Sequence, residues 1–326
     1  MNFGVIGTAN IARAAVAPAI RASDHDLLAV ASRDEARAAS FADEFDVPRA
    51  YPSYEDLLAD DDLDAVYNPL PNSLHARWTK RAADAGLHVL CEKPLAVDAN
   101  EAIELARYCR DRDVTLMEAF MYRYHPRTAR AAELAAELGP IRHVTATFTF
   151  PLSGREDVRL QSDLAGGSLM DVGCYAVSAA RLFLGEPDRA YAHALDTRDA
   201  GVDTTLAGVL EYPDAVARVA AGFDNGREER VRVSAEDGWL ELSPAFLPSA
   251  DERATLEYEL DGRRGTETFD PVDQYRREVE AFAEAVETET APLTDGLEAA
   301  RTLAVVDALA ESANADAAVS VDEPHL

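Results

Sequence analysis

Lysine is the residue this chain has least of: only Lys80 and Lys93 occur among 31 basic residues, and the other 29 are arginine. Arginine stays protonated in proteins, whereas a lysine amine shifts its pKa with its surroundings, so a scarce lysine is a candidate for proton chemistry. Cysteine is scarce too. Cys91, Cys109 and Cys174 are odd in number and show no paired spacing. That excludes a disulfide framework and a paired-cysteine zinc site, and it fits reduced thiols in a cytoplasmic protein. The seven histidines show no spacing of the HExxH kind, so no metal is expected. No run of apolar residues is long enough to span a membrane, and the first residues lack the cationic start of an export signal.

Positive charge is also in short supply. Sixty acidic residues against 31 basic ones give a net charge of -29. Such a chain repels nucleic acid and anionic lipid, which excludes partners held through a phosphate backbone and excludes membrane-surface binding. The acidity is spread along the whole length, and 48% of residues are hydrophobic, as in a folded protein and unlike an acidic tail. Diffuse acidity with almost no lysine fits a high-salt cytoplasm, where dense counterions screen the self-repulsion.

A length of 326 residues is near the limit for one core and favours two domains. From Met1 to about Ala119, short apolar runs alternate with amphipathic stretches. Phe3 to Gly7, Leu27 to Ser32, Asp64 to Asn68, Leu87 to Cys91 and Val114 to Ala119 read as buried strands. Strand alternating with helix predicts a doubly wound parallel sheet of the Rossmann kind. After about Pro140 the strands instead alternate apolar and polar residues at short intervals, which predicts a large, open, mostly antiparallel sheet in an α+β domain. The expected fold is thus α/β, with a domain over residues 1–120 and a second over 121–326. Its two closing helices, residues 272–288 and 295–313, are expected to pack back on the first domain.

The first strand runs into Gly7-Thr8-Ala9-Asn10-Ile11-Ala12, a loose match to G-x-G-x-x-A with Ala9 in the second glycine position. Strand, tight turn and helix N-terminus in that order can hold a pyrophosphate, although an ordinary strand-to-helix turn reads the same way. The second strand ends at Ser32-Arg33. A carboxylate there would bind a ribose hydroxyl, whereas a cation accommodates a 2'-phosphate, so this ending favours NADP over NAD. Asp34 is placed to cap the next helix. Lys93, in the string CEKPL (Cys91 to Leu95), follows the apolar run Leu87 to Leu90 and so sits at a strand end, where open α/β sheets put their ligand chemistry.

Taken together, FGVIGTANIA, ASRD, NPLPNSLHARW, AGLHVLCEKPL, EAFMYRYHP and DVGCYAVSAARLFLG, with the closing helices, resemble the Gfo/Idh/MocA oxidoreductases. The wording is most similar to the NADP-linked branch that holds D-xylose dehydrogenases, dihydrodiol dehydrogenases and glucose-fructose oxidoreductase. In that branch a tyrosine, here Tyr175, stands where inositol dehydrogenases carry histidine. The resemblance implies that Lys93, Asp171 and Tyr175 are catalytic. It also implies that Pro71, Asn72 and His75 line the nicotinamide ribose, and that Glu92 and Pro94 position the lysine. A homodimer or homotetramer through the second sheet is implied as well. Asn68 departs from the apolar residue usual before Pro69.

Oxidising a hydroxyl requires hydride transfer to nicotinamide and loss of the hydroxyl proton. A tyrosine with its ordinary pKa of about 10 is a poor base unless a neighbouring ammonium favours the phenolate. This suggests Tyr175 as the proton-transfer group and Lys93 as its electrostatic partner, or the reverse. Asp171 then holds a sugar hydroxyl or orients the lysine. The bland alternatives are a core tyrosine and a helix cap. Arg155, with Arg159 and Gln161, is a candidate for a polar substrate, or else a solvated loop residue. Tyr122 to His125 form an aromatic-basic cluster that suits either a sugar ring or a packed hinge. The expected function is an NADP-dependent oxidation of an aldose at C1 to a lactone. Reduction of a carbonyl sugar, oxidation of a trans-dihydrodiol, and a catalytically silent dinucleotide sensor are the rivals.

Overall fold

The computed structural model describes residues 1–154 and 156–325. It separates into two compact units, the first Met1–Tyr124 with Asp273–Ala299 and the second His125–Val272 with Ala300–Pro324.

The first unit is built on six parallel strands: β1 (Asn2–Ile6), β2 (Asp26–Ala31), β3 (Arg49–Tyr51), β4 (Ala65–Asn68), β5 (His88–Glu92) and β6 (Leu116–Ala119). Their order is β3-β2-β1-β4-β5-β6. The direction of winding reverses between β1 and β4, and doubly wound sheets bind ligands beyond the strand ends at that reversal. The apolar runs are explained by burial on both faces, as β4 and β6 have no exposed residue. Phe3, Val30, Phe41, Tyr67 and Leu90 form the core together with Val279 and Phe282 from the helix Gln274–Glu287. That helix therefore belongs to this unit.

The second unit carries nine strands, β7 (Ile141–Thr149), β8 (Arg189–Leu195), β9 (Thr205–Glu211), β10 (Val216–Gly222), β11 (Glu228–Ala235), β12 (Gly238–Leu242), β13 (Ala254–Leu260), β14 (Arg263–Phe269) and β15 (Val319–Ser320). The order is β14-β13-β12-β11-β7-β10-β9-β8-β15, and of the paired strands only β7 and β10 run parallel. The alternation read from sequence is that of a sheet with one covered face: β8 to β11 bury every second residue. Strands β3 and β14 are additions to the sequence reading. β3 has only three residues, and β14, RRGTETF, has no fully buried residue, so neither carries an apolar signal. Cys91, Cys109 and Cys174 are all buried free thiols. Among the described residues no helix is long and apolar enough to cross a membrane.

Candidate functional site

In the first unit, four candidate segments follow the carboxyl ends of adjacent strands: Gly7 after β1, Ser32 after β2, Pro69 after β4 and Lys93 after β5. Gly7 has φ +102°, and its amide donates to the Ala31 carbonyl at 2.8 Å, which ties the loop to the end of β2. Glycine is needed there for its backbone conformation, and a Cβ on Gly7 would also come within 3.1 Å of Leu70 Cδ2, which would have to give way. Ala9 has no positive φ, which explains why alanine is tolerated in the second glycine position. The chain is helical over residues 10–21, with a π-helical turn at Ala12–Val16 where a regular helix is expected.

The end of β2 sorts its three polar residues into separate jobs. Asp34 accepts hydrogen bonds from the amides of Ala36 (3.0 Å) and Arg37 (3.2 Å), so its carboxylate is used as the helix cap. Ser32 is buried, and its Oγ accepts the Asp34 amide at 3.2 Å. Arg33 is exposed. With the acid turned to its helix and the guanidinium outward, this corner suits a 2'-phosphate better than a ribose diol.

Around Lys93 the backbone is held from several elements. The Lys93–Pro94 peptide is cis. Glu92 accepts the Tyr67 hydroxyl at 2.6 Å on one oxygen and the Lys93 amide at 3.3 Å on the other. The Leu95 amide donates to Glu118 Oε1 at 2.8 Å. His75 lies with Nδ1 2.8 Å from the Pro94 carbonyl and Nε2 2.6 Å from the Leu70 carbonyl, which bridges the loops after β4 and β5. The expectation that His75 lines a ribose therefore needs correcting: the side chain is fully buried, and both nitrogens face backbone carbonyls. Burial pushes its pKa down to about 4, against the opposing pull of the two carbonyls. Asn68 is similarly interior. Its amide donates to the His75 carbonyl and to Thr79 Oγ1, both at 3.2 Å, so this departure from an apolar residue anchors the same loop. Pro71 and Asn72 open the helix Asn72–Asp84, and both are partly exposed.

Beneath the loop lies Glu278, which sequence reading missed. It is fully buried, its Oε1 has no hydrogen-bond partner, and burial together with the charges of Glu92 and Glu118 pushes its carboxyl well above the usual range. Glu118 was missed too, although a lone carboxylate inside the apolar string Leu116–Ala119 is a legible anomaly.

In the second unit, Asp171 falls in a π-helical turn, Leu169–Gly173, that leads into the helix Cys174–Leu184 bearing Tyr175. The turn is thus wider than an α-helix at the aspartate, a distortion common at functional sites. The start of this segment is fixed by Asp203, whose Oδ2 accepts from Ser168 Oγ at 2.5 Å and from the Leu169 amide at 2.8 Å. The Tyr175 ring is buried against the stacked pair Phe148 and Phe246, with centroids 5.2 and 5.3 Å away, so its direction is set by packing. Asp171 Oδ2 accepts from Arg159 Nε at 2.8 Å. Gln161 turns to the Glu156 carbonyl at 3.5 Å. Arg155 lies outside the described residues.

The Tyr122 to His125 cluster divides into structural tasks. Tyr122 is buried against Phe120, Arg123 pairs with Glu298 at 3.0 Å, and Tyr124 bonds Thr294 at 2.8 Å. His125 caps the helix Pro126–Glu137 through the Arg127 amide at 3.0 Å.

Comparison with known proteins bears on the fold and the family. Residues 1–120 match the model of an oxidoreductase family with an NAD-binding Rossmann fold, and residues 127–241 match the Gfo/Idh/MocA C-terminal domain. The chain is 58% identical over 325 residues to D-xylose 1-dehydrogenase (NADP(+)) 2 of Haloferax volcanii, covering 99% of this chain and 100% of that protein. A 3-ketoreductase from Actinomadura kijaniata, solved with NADP and TDP-benzene, superposes with a TM-score of 0.90 at 34% identity, covering 96% of this chain and 97% of that one. An aldose-aldose oxidoreductase from Caulobacter crescentus superposes with a TM-score of 0.91 at 28% identity, covering 98% and 99%. With a parallel sheet that ends in a glycine turn, an EKP loop after β5 and matches over both units, the chain belongs to the Gfo/Idh/MocA oxidoreductase family.

Proposed function

We propose that this protein is an NADP-dependent sugar dehydrogenase that oxidises an aldose of the D-xylose type at C1 to the lactone. The observation that carries this reading is full-length similarity, at 58% identity, to a relative named D-xylose 1-dehydrogenase (NADP(+)). The corner after β2 supports NADP on separate grounds, since Asp34 is engaged as a cap and Arg33 is exposed. When bound, the nicotinamide supplies the hydride acceptor. Gly7 to Ile11 would hold its phosphates, Ser32 and Arg33 the 2'-phosphate, and Pro71, Asn72, Glu92 and Lys93 the nicotinamide end.

Tyr175 is assigned the removal of the hydroxyl proton, Lys93 the electrostatic support of the reacting oxygen, and Asp171 the acceptance of a substrate hydroxyl. What supports these roles is the rigid setting of each group. The backbone around Lys93 is held by His75, Glu92 and Glu118, and the Tyr175 ring packs against a stacked pair of phenylalanines. A domain division near residue 120, with Asp273–Ala299 returning to the first unit, belongs to the same proposal; the candidate cofactor residues fall in the first unit and Asp171 and Tyr175 in the second. So does a homodimer or homotetramer through the second sheet, whose strands β8 and β10 leave Tyr191, Leu195 and Val216 exposed.

The test is NADPH formation in molar KCl with D-xylose, D-glucose, inositols and cyclic diols, with NADP and NAD run side by side. Turnover on an aldose with NADP is expected. Lys93→Met and Tyr175→Phe should each lower turnover by about 10²-fold or more, as loss of acid-base or electrostatic assistance does, while NADP still binds. Near-normal rates in both variants would remove the assignment. NADP binding without turnover on any sugar or diol would point to a sensor.

A further inference from the structure

Arg159 stands in the segment between β7 and the π-turn that bears Asp171, and both its backbone and its side chain are tied. Its carbonyl accepts the Gly167 amide at 2.8 Å. A Cβ at Gly166 would lie 2.5 Å from that same carbonyl oxygen, so the chain can double back over Arg159 only with glycine there. On the side chain, Nε donates to Asp171 Oδ2 at 2.8 Å and Nη1 reaches Asp157 Oδ1 at 3.3 Å. Asp157 also accepts the Arg159 amide at 2.9 Å, which fixes where the arginine begins. The guanidinium is thus held by the segment and offers Asp171 one N–H in one direction.

We propose that Arg159 is the positioning residue of Asp171, which it keeps ionised and aimed so that the carboxylate serves only as an acceptor for a substrate hydroxyl. The proposal rests on the reading of Asp171 as a substrate-site group. A charge-assisted bond from a planar guanidinium sets both the charge and the orientation of a carboxylate, which a solvent-facing aspartate lacks. Two other carboxylates lie near the turn, Asp203 and Asp157, and both are engaged. Asp203 lies at its first residues, where it is occupied by Ser168 Oγ and the Leu169 amide. On the sheet side, β10 presents Ala221 to Gly173 and β7 presents Phe148 to Tyr175, both uncharged. Asp157 faces the far side of the guanidinium, and Tyr175 follows one turn later.

Steady-state kinetics against pH, with D-xylose and NADP, on Arg159→Gln, Arg159→Lys, Asp171→Asn and Arg159→Gln/Asp171→Asn test this. Arg159→Gln should lower kcat/KM by about tenfold or more, the worth of one charge-assisted hydrogen bond. Without the cation the Asp171 carboxyl binds its proton more tightly, so the acid limb of kcat/KM should move upward by about one pH unit. NADP affinity and circular dichroism should not change. Arg159→Lys should return the acid limb, because it keeps the charge, and recover only part of the rate, because it loses the directed N–H. The double variant should be no slower than Asp171→Asn alone. An impaired Asp171→Asn beside an Arg159→Gln with wild-type rate and pH profile overturns the proposal and leaves the site reading intact. A fully active Asp171→Asn overturns the site reading beneath it.

Discussion

His75 shows how a single residue can be recognised from sequence and still be misassigned. Its motif marks the loop after β4, yet its buried ring braces that loop against the one after β5 and leaves no nitrogen for a ligand. A fully buried imidazole with its pKa near 4 is neutral in the folded state above about pH 5, so only one of its nitrogens donates to a carbonyl and the other merely faces one. The unfolded chain binds a proton below its ordinary value of about 6.5. The folded pKa is the lower of the two, so this contribution to stability is present above pH 6.5 and is lost as pH falls toward 4. Between pH 7.5 and 5.5 the loss is on the order of 1 kcal/mol. Glu278, whose pKa is raised, has the opposite sign and gains stability on acidification. The informative quantity is therefore a difference: in urea unfolding, wild type minus His75→Gln should shrink by on the order of 1 kcal/mol between those two pH values. An unchanged difference would show that the histidine is protonated in the folded state. Arg33 makes the second prediction at this scale. Arg33→Ala should raise KM for NADP by about 10- to 100-fold, the worth of a charge-assisted contact to phosphate, and leave turnover with NAD unaffected. Equal effects on both cofactors would argue against a 2'-phosphate at the end of β2.

At the scale of elements, the strand-to-helix turn after β1 works with a single essential glycine. Gly7 has a backbone that other residues rarely adopt and faces Leu70, whereas Ala9 has an ordinary backbone. Gly7→Ala should therefore cost about 1–3 kcal/mol of stability and weaken NADP binding, measured by unfolding and by fluorescence titration. Ala9→Gly should leave binding within about twofold, since it removes no contact and relieves no strain. A variant pair with the opposite order would mean that the second glycine position governs the approach of the phosphates. Legibility differed between elements for physical reasons. Buried parallel strands such as β4 and β5 announce themselves by apolar runs, and Asp34 announces a helix start by its spacing. β14 has a polar composition because its residues are half or fully exposed, and it is recognised only by pairing with β13. The π-turn at Leu169–Gly173 has no sequence signal, because its width is set by what packs around it.

At the scale of the whole molecule, a charge of -29 is the dominant global property. Self-repulsion of this size weakens the compact state unless counterions screen it, and the screening length grows from about 3 Å at 1 M salt to about 30 Å at 0.01 M. The thermal midpoint should fall steadily as KCl is lowered from molar to about 10 mM, followed by circular dichroism. A midpoint independent of KCl would show that the ion pairs on the surface, such as Arg21 with Asp46 and Arg142 with Glu236, already offset the repulsion.

The sequence by itself determined the fold class, because strand periodicity changes from buried runs to alternation near Pro140 and because the glycine turn, the EKP loop and the string DVGCYAVSAARLFLG follow one another along the chain. It also determined which residues to suspect, Lys93 above all, since scarcity and position pointed to the same lysine. Only the tertiary structure decided what holds those residues. Glu118 meets the Leu95 amide across 23 positions, Asp203 meets Leu169 across 34, and Arg159 finds Asp171 only because glycine lets the chain fold back. Local pattern reports burial and turn chemistry, which act between neighbours. The partners of a buried carboxylate or a clamped guanidinium are chosen by packing between segments that lie far apart in the chain, and no local pattern carries that choice.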